Sequence, residues 1–354
     1  MGDAMVITPK QLVTIDDNGD LILRVGADEG SRDDWNEVKE YKVDSATLRR
    51  TSAVFRAMLF GPWTEASKPT AGSEQWTIEL PEDNPDWFII LMGIAHACFK
   101  LVPRPEDWTK TSVNGLVVLA DKYDMLHLLG PFAPSMARTI GHSPKRRVDD
   151  ESFLILQTSW ELGCEQEFAR GLKNIILFTS LNKEGSNPNQ LIYRCSTHGT
   201  PHINLAEFLE PEILEQITKE RLRVIKQLVK FINDEYGRCC ESCVISSWKT
   251  RFKCSQAVKD GLEQVIKKTT CRPFLPIEVE AIHCSAKGFY QSSIRDLKRI
   301  QVPASHRKTC SQVTAKRFEA LWADIKTSYR WEPSVLLTQE QREWMKKRRE
   351  RIGY

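Results

Sequence analysis

Ten cysteines and seven histidines are the residues of this 354-residue chain best suited to chemistry, and they are unevenly spread. Cys239, Cys240 and Cys243 crowd together just after Gly237, Cys254 follows, and His306 and Cys310 form a later pair. A closed zinc site takes four soft or borderline ligands, often as two close pairs on separate segments. The expectation is therefore a structural zinc clip drawn from four of Cys240, Cys243, Cys254, His306 and Cys310. Pro273, Pro276 and Pro303 interrupt the surrounding chain, so such a cross-link would tie together helices joined by irregular segments. The same thiols also read as small buried hydrophobes, because free cysteine is among the most buried residue types. Cys195, His198 and His202 offer only three ligands, and Gly199 and Pro201 keep the two histidines off a common helical face.

Catalytic patterns do not accompany these residues. The chain has no Gly-x-Ser-x-Gly elbow, no phosphate loop ending in Gly-Lys-Ser/Thr, no His-Glu-x-x-His and no dinucleotide glycine pattern. Cys310 lies near Lys308, but a nucleophile also needs an orienting base and an oxyanion site. The expectation is a protein that is not an enzyme, with structural zinc as its one candidate cofactor. The other chemical feature is basic: Lys346-Lys347-Arg348-Arg349 with Arg351 reads as a nuclear-import signal, a phosphate-contacting helix end, or a solvated last turn whose cations suit the helix dipole.

Composition sets the frame for these sites. The net charge of +3 conceals a division, with 17 Lys+Arg against 23 Asp+Glu in residues 1–150 and 33 against 24 in residues 151–354. Two units with unlike surfaces follow. At 41% hydrophobic residues the chain can bury real cores, yet no run approaches the ~20 apolar residues of a membrane span. Met1-Gly2-Asp3-Ala4-Met5-Val6 places acid where a signal peptide needs base, and the cysteines are too sparse for a disulfide scaffold. The expected location is intracellular, cytoplasmic or nuclear.

The elements that must position these residues begin with alternation. Asp20–Gly26 and Glu40–Val43 read as two strands able to pair as a hairpin, and Trp76–Leu80 as a third. A helix capped at Ser45 carries Leu48, Val54, Phe55, Met58 and Leu59 before Gly61-Pro62 stops it. Asn84-Pro85 starts a helix with Trp87, Phe88, Ile90, Leu91, Ile94 and Ala95 on its buried side. Asn114–Tyr123 and Met125–Met136 read as two more, broken near Asp124. After a polar stretch from Asn182 to Pro201, the stripe Ile213, Leu214, Ile217, Leu222, Ile225, Leu228, Val229 and Ile232 predicts a long helix.

Val43-Asp44-Ser45, Leu48, Ser52, Phe55, Met58-Leu59, the Trp76–Leu80 strand and Leu119-Ala120-Asp121-Lys122-Tyr123 resemble a BTB/POZ domain over about residues 15–140. Asp44 stands where that family frequently has histidine. Leu162-Gly163, Phe168, Ile175-Ile176 and Phe178 are similar to the helical extension that often trails the domain. The later cysteines and His306-Cys310 resemble the C-terminal part of a group of fungal BTB proteins, which favours them over Cys271 and His283-Cys284 as ligands.

The expected fold class is α+β: a BTB/POZ-like domain with a small mixed sheet covered by helices, then a mainly helical region. Its expected segments are 1–140 (domain), 148–182 (extension), 183–204 (linker) and 205–354 (helical C-terminal domain). The resemblance implies an adaptor with protein partners, either a homodimer or a recruiter of a cullin-type ubiquitin-ligase scaffold. Scaffold-binding members carry an apolar-x-acidic element that aligns with Ser112-Val113-Asn114, which lacks both the acid and the large anchor. On this reading neither a membrane nor a nucleic-acid partner is expected. The alternative is a nuclear regulator whose basic half touches nucleic acid or chromatin partners, although no DNA-reading fold is evident.

Overall fold

The computed structural model describes residues 12–26, 38–66, 75–141, 151–182, 191–193, 203–204, 209, 211–238, 248–270, 279, 282–300 and 312–354. The chain is α+β, mainly helical with a small mixed sheet. Among the described residues no helix is long and apolar enough to cross a membrane.

Strands β1 (Leu12–Thr14), β2 (Leu21–Val25) and β3 (Lys39–Val43) open the fold, and helices α1 (Ser45–Thr51) and α2 (Ala53–Phe60) lead to β4 (Thr77–Leu80). The sheet order is β1-β3-β2-β4. β2 runs antiparallel to β3, with Leu23 opposite Tyr41, and parallel to β4, with Leu23 opposite Ile78. Leu21, Ile22, Leu23 and Val25 are all buried, so helices must cover both faces of this central strand. Helices α3 (Pro85–Ala95), α4 (Lys110–Lys122) and α5 (Ala133–Gly141) follow, with a 3-10 turn at Leu126–Leu129 between the last two.

Local chemistry refines the expected helices. Asp44, not Ser45, caps α1: burial pushes its carboxyl up, but hydrogen bonds from the Thr47 hydroxyl and the Thr47 and Ala46 amides outweigh that and hold it low. Ser52 then adopts an extended conformation and caps a second helix by accepting from the Phe55 amide at 2.9 Å. The single helix expected after Ser45 is therefore two. The expected break near Asp124 is a left-handed residue at φ 55°, which aspartate tolerates better than most. The helix expected to follow it starts only at Ala133, after Gly130 and Pro131.

Helices α6 (Glu151–Leu162) and α7 (Glu165–Phe178) lead to the short strands β5 (Ser180–Leu181), β6 (Leu191–Tyr193) and β7 (Ile203–Asn204), which form a second, antiparallel sheet. The span 183–204 is thus more than the expected linker, because its described residues pair as strands. The remainder is α8 (Pro211–Arg238), α9 (Trp248–Thr270), α10 (Ala286–Leu297), α11 (Gln312–Thr327), α12 (Pro333–Leu336) and α13 (Gln339–Ile352).

The chain divides into two compact units that do not follow the expected sequential boundaries. The first comprises residues 1–144, 154–168 and 337–354; the second comprises 145–153 and 169–336. Helix α13 therefore belongs with the unit that holds the four-stranded sheet rather than with 205–354. Two glycines show why. A Cβ on Gly163, which sits at φ +69°, would lie 2.3 Å from the Met345 carbonyl oxygen, and one on Gly130 would lie 2.4 Å from that of Ile352. The backbone of α13 reaches surfaces that only glycine leaves open.

The second unit centres on Ile225, Leu228, Ile232, Leu262, Phe289 and Phe318. Within it the fully buried Arg221 donates to the carbonyls of Thr179 (3.0 Å), Ile282 (3.1 Å), His283 (3.3 Å) and Cys284 (2.8 Å). Burial lowers its pKa to about 10. Its fork ties α8 to the end of α7 and to the segment that enters α10.

Candidate functional site

Among the described residues of the first unit, an exposed apolar surface lies along α2 and the turn after it. Ala53, Val54, Ala57, Met58, Trp63 and Glu65 line a groove of about 490 Å³. Trp63 is 61% exposed and Phe60 38%, whereas Phe55 and Leu59 on the inner side of the same helix are buried. Helical spacing explains the division, since positions 55 and 59 share one face while 54, 57 and 58 point elsewhere. Gly61-Pro62 ends the helix and turns the chain, leaving Trp63 beyond it.

A buried hub fixes the angle of α2. The Phe55 ring stacks on Tyr123 with centroids 4.5 Å apart and planes within 4°. The Ser52 hydroxyl, besides capping α2, donates to the Tyr123 carbonyl at 2.6 Å. Tyr123 in turn donates its phenol to Asp83, which also receives Lys122 at 2.7 Å. Burial, with the Asp83 charge beside it, pushes the Tyr123 phenol well above its ordinary pKa. Tyr123 and Lys122 thus hold the loop before α3 against the end of α4, and α2 rests on them.

Two aromatic contacts finish the groove's edge. The Arg49 guanidinium sits 4.9 Å from the Phe60 centroid, and Phe60 meets Trp76 edge to face at 6.4 Å. The Trp76 indole donates to the Glu65 carbonyl at 3.0 Å, anchoring the turn that carries Trp63. The groove is thus an apolar surface framed by a cation, Arg49, and an acid, Glu65.

The expected zinc clip cannot be assembled from the described residues. Cys254 is 2% exposed and packs in the second unit's core; Cys240, Cys243, His306 and Cys310, with Cys239, lie outside the described residues. Cys195, His198, His202 and Cys271 also lie outside them. Among the described residues no group of three or more His, Cys, Asp or Glu is placed to hold a metal ion.

The basic terminal run is placed, and much of it is engaged. Arg348 reaches Asp121 at 2.9 Å and also pairs with Glu161, Arg349 donates to the Gly163 carbonyl at 2.9 Å, and Arg351 pairs with Asp124. Lys346 remains exposed, with Glu350 3.9 Å away. Ser112 and Val113 are buried: Thr109 and Ser112 form a reciprocal capping box that starts α4, and Asn114 donates to the Thr158 hydroxyl at 3.0 Å. That stretch serves a helix start and internal packing rather than presenting an anchor.

No protein-family model, curated protein or solved structure matches this chain. The α2 groove was not singled out by sequence reading. The available signal was Trp63, a large apolar residue just past a Gly-Pro stop in an otherwise polar stretch.

Proposed function

We propose that the chain is a non-enzymatic interaction module of the BTB/POZ type that self-associates through the α2 groove. The order β2–β3–α1–α2–β4–α3–α4 supports the family reading, with Ser52, Phe55 and Tyr123 meeting in one hub. The observation that carries the functional reading is the pair of exposed rings, Phe60 and Trp63, beside the half-buried Val54 and Met58 on a helix anchored from behind. A second copy suits this surface because its rim carries unlike charges, Arg49 and Glu65. A two-fold pairing can set one copy's cation against the other's anion.

Scaffold recruitment has less support, because Ser112-Val113-Asn114 is consumed by capping and packing. The test is light scattering on the full chain across a hundredfold concentration range. A mass that rises to twice 40.6 kDa, and that Met58→Lys with Trp63→Ala returns to the monomer, supports the reading. A monomer at every concentration overturns it.

A further inference from the structure

Helix α9 buries Cys254, Val258, Leu262 and Val265 in the second unit's core, yet its first two turns present a different surface. Trp248 is 72% exposed and Phe252 66%, the two most exposed large apolar side chains among the described residues. Their i, i+4 spacing puts the rings on one face, about 6 Å apart along the helix axis. Lys249, Arg251 and Lys253 stand exposed around them, and the Lys249 ammonium lies 5.9 Å from the Trp248 ring. From Trp248 the first acid is Asp260.

Stability does not account for this surface. Cations in the opening turns face the positive end of the helix dipole, where acids are favoured, and two solvated rings forgo burial worth about 2 kcal/mol each. The surrounding half of the sequence has the same sign, with 33 Lys+Arg against 24 Asp+Glu in residues 151–354. An anionic partner with flat apolar groups complements every part of the patch. We infer that the Trp248/Phe252 face of α9 binds single-stranded nucleic acid, its bases stacking on the two rings and its phosphates meeting Lys249, Arg251 and Lys253. Stacking on paired aromatics flanked by cations is how unpaired strands are held without sequence readout. An anionic lipid surface fits less well, because an interfacial helix needs a continuous apolar face and the inner face of α9 is already in the core. The inference is independent of the α2 groove and of how the first unit is classified.

The test is fluorescence anisotropy of labelled oligouridine and oligothymidine of about 20 nucleotides with the full-length protein. Three phosphate contacts predict binding that weakens about 20-fold between roughly 50 and 200 mM salt. Trp248→Ala with Phe252→Ala should weaken binding at least tenfold at fixed salt with the salt slope retained. Lys249→Glu with Lys253→Glu should flatten the slope. All four positions are exposed, so melting curves of the variants should match the parent. No binding of either oligomer at low salt, binding unchanged in both variants, or binding only to vesicles containing anionic phospholipid would each overturn the inference.

Discussion

Arg348 and Asp121 are 227 residues apart in the chain and 2.9 Å apart in the structure. Glu161 receives the same guanidinium, whose side chain is only 15% exposed. The contact is reinforced from the side: the Arg348 guanidinium lies 4.9 Å from the Trp344 ring, and Trp344 stacks on Trp160 at 4.2 Å. A terminal helix that reads as a solvated basic tail is thereby part of the first unit's core. Replacing Arg348 with Ala strands the Glu161 carboxyl, which burial already pushes up despite the arginine. The expected loss is about 2 kcal/mol, read as a lower urea midpoint with an unchanged m-value. A midpoint within error of the parent would show that the terminal helix is not held by this pair.

The glycine floor beneath α13 offers a second, purely steric test. Gly163→Ala places a Cβ against the Met345 carbonyl at a residue already in the left-handed region. The backbone conformation alone costs about 1–2 kcal/mol, and relief of the clash requires α13 to move. Limited proteolysis should cut the terminal helix of this variant well before the parent's, while the second unit's fragments appear at unchanged rates.

The hub behind α2 predicts an ordering of variants. Tyr123→Phe keeps the stack on Phe55 but leaves the buried Asp83 one hydrogen bond short, a loss of about 1–3 kcal/mol. Ser52→Ala removes an N-cap and the bond to the Tyr123 carbonyl together, costing about 1–2 kcal/mol. Ser52 and Tyr123 are in direct contact, so a double-mutant cycle should show coupling rather than additivity. Strict additivity would mean that α2 is positioned by packing alone.

Alkaline pH tests the packing of the chain end. Burial pushes the Cys164 thiol up to about 11 from 9.0, and Tyr354, whose hydroxyl lies 2.8 Å from that sulfur, is raised by burial as well. A group raised in the folded state contributes its full stability below the unfolded pKa and loses it as pH climbs. For Cys164 that window runs from about 9 to about 11. Denaturation midpoints should fall across it, and Cys164→Ala should make the decline shallower. Parallel curves for the two proteins would show that the thiol ionises as freely folded as unfolded.

Arg221 carries the matching prediction for the second unit. Arg221→Lys preserves the charge but not the planar fork, so the Thr179, Ile282, His283 and Cys284 carbonyls cannot all be satisfied. Arg221→Lys and Arg221→Met should both lower thermal stability by more than about 2 kcal/mol. Full rescue by lysine would assign the role to charge alone.

What the amino-acid sequence determined by itself is what neighbours in the chain decide. The pairing of β2 with β3, the Asn84-Pro85 start of α3 and the apolar stripe of α8 are all readable because periodicity and capping act within a few residues. Where two local solutions compete, as with Asp44 and Ser45 at a cap or Ser52 inside a helical pattern, spacing alone did not choose between them. Tertiary structure decided the rest. Arg348 is an engaged cation because Asp121 and Glu161 converge on it, α13 joins the first unit because Gly130 and Gly163 leave room for its backbone, and α2 presents a groove because Tyr123 and Asp83 anchor it from behind. Such roles depend on partners tens to hundreds of residues away, and their identity enters only once the chain has folded.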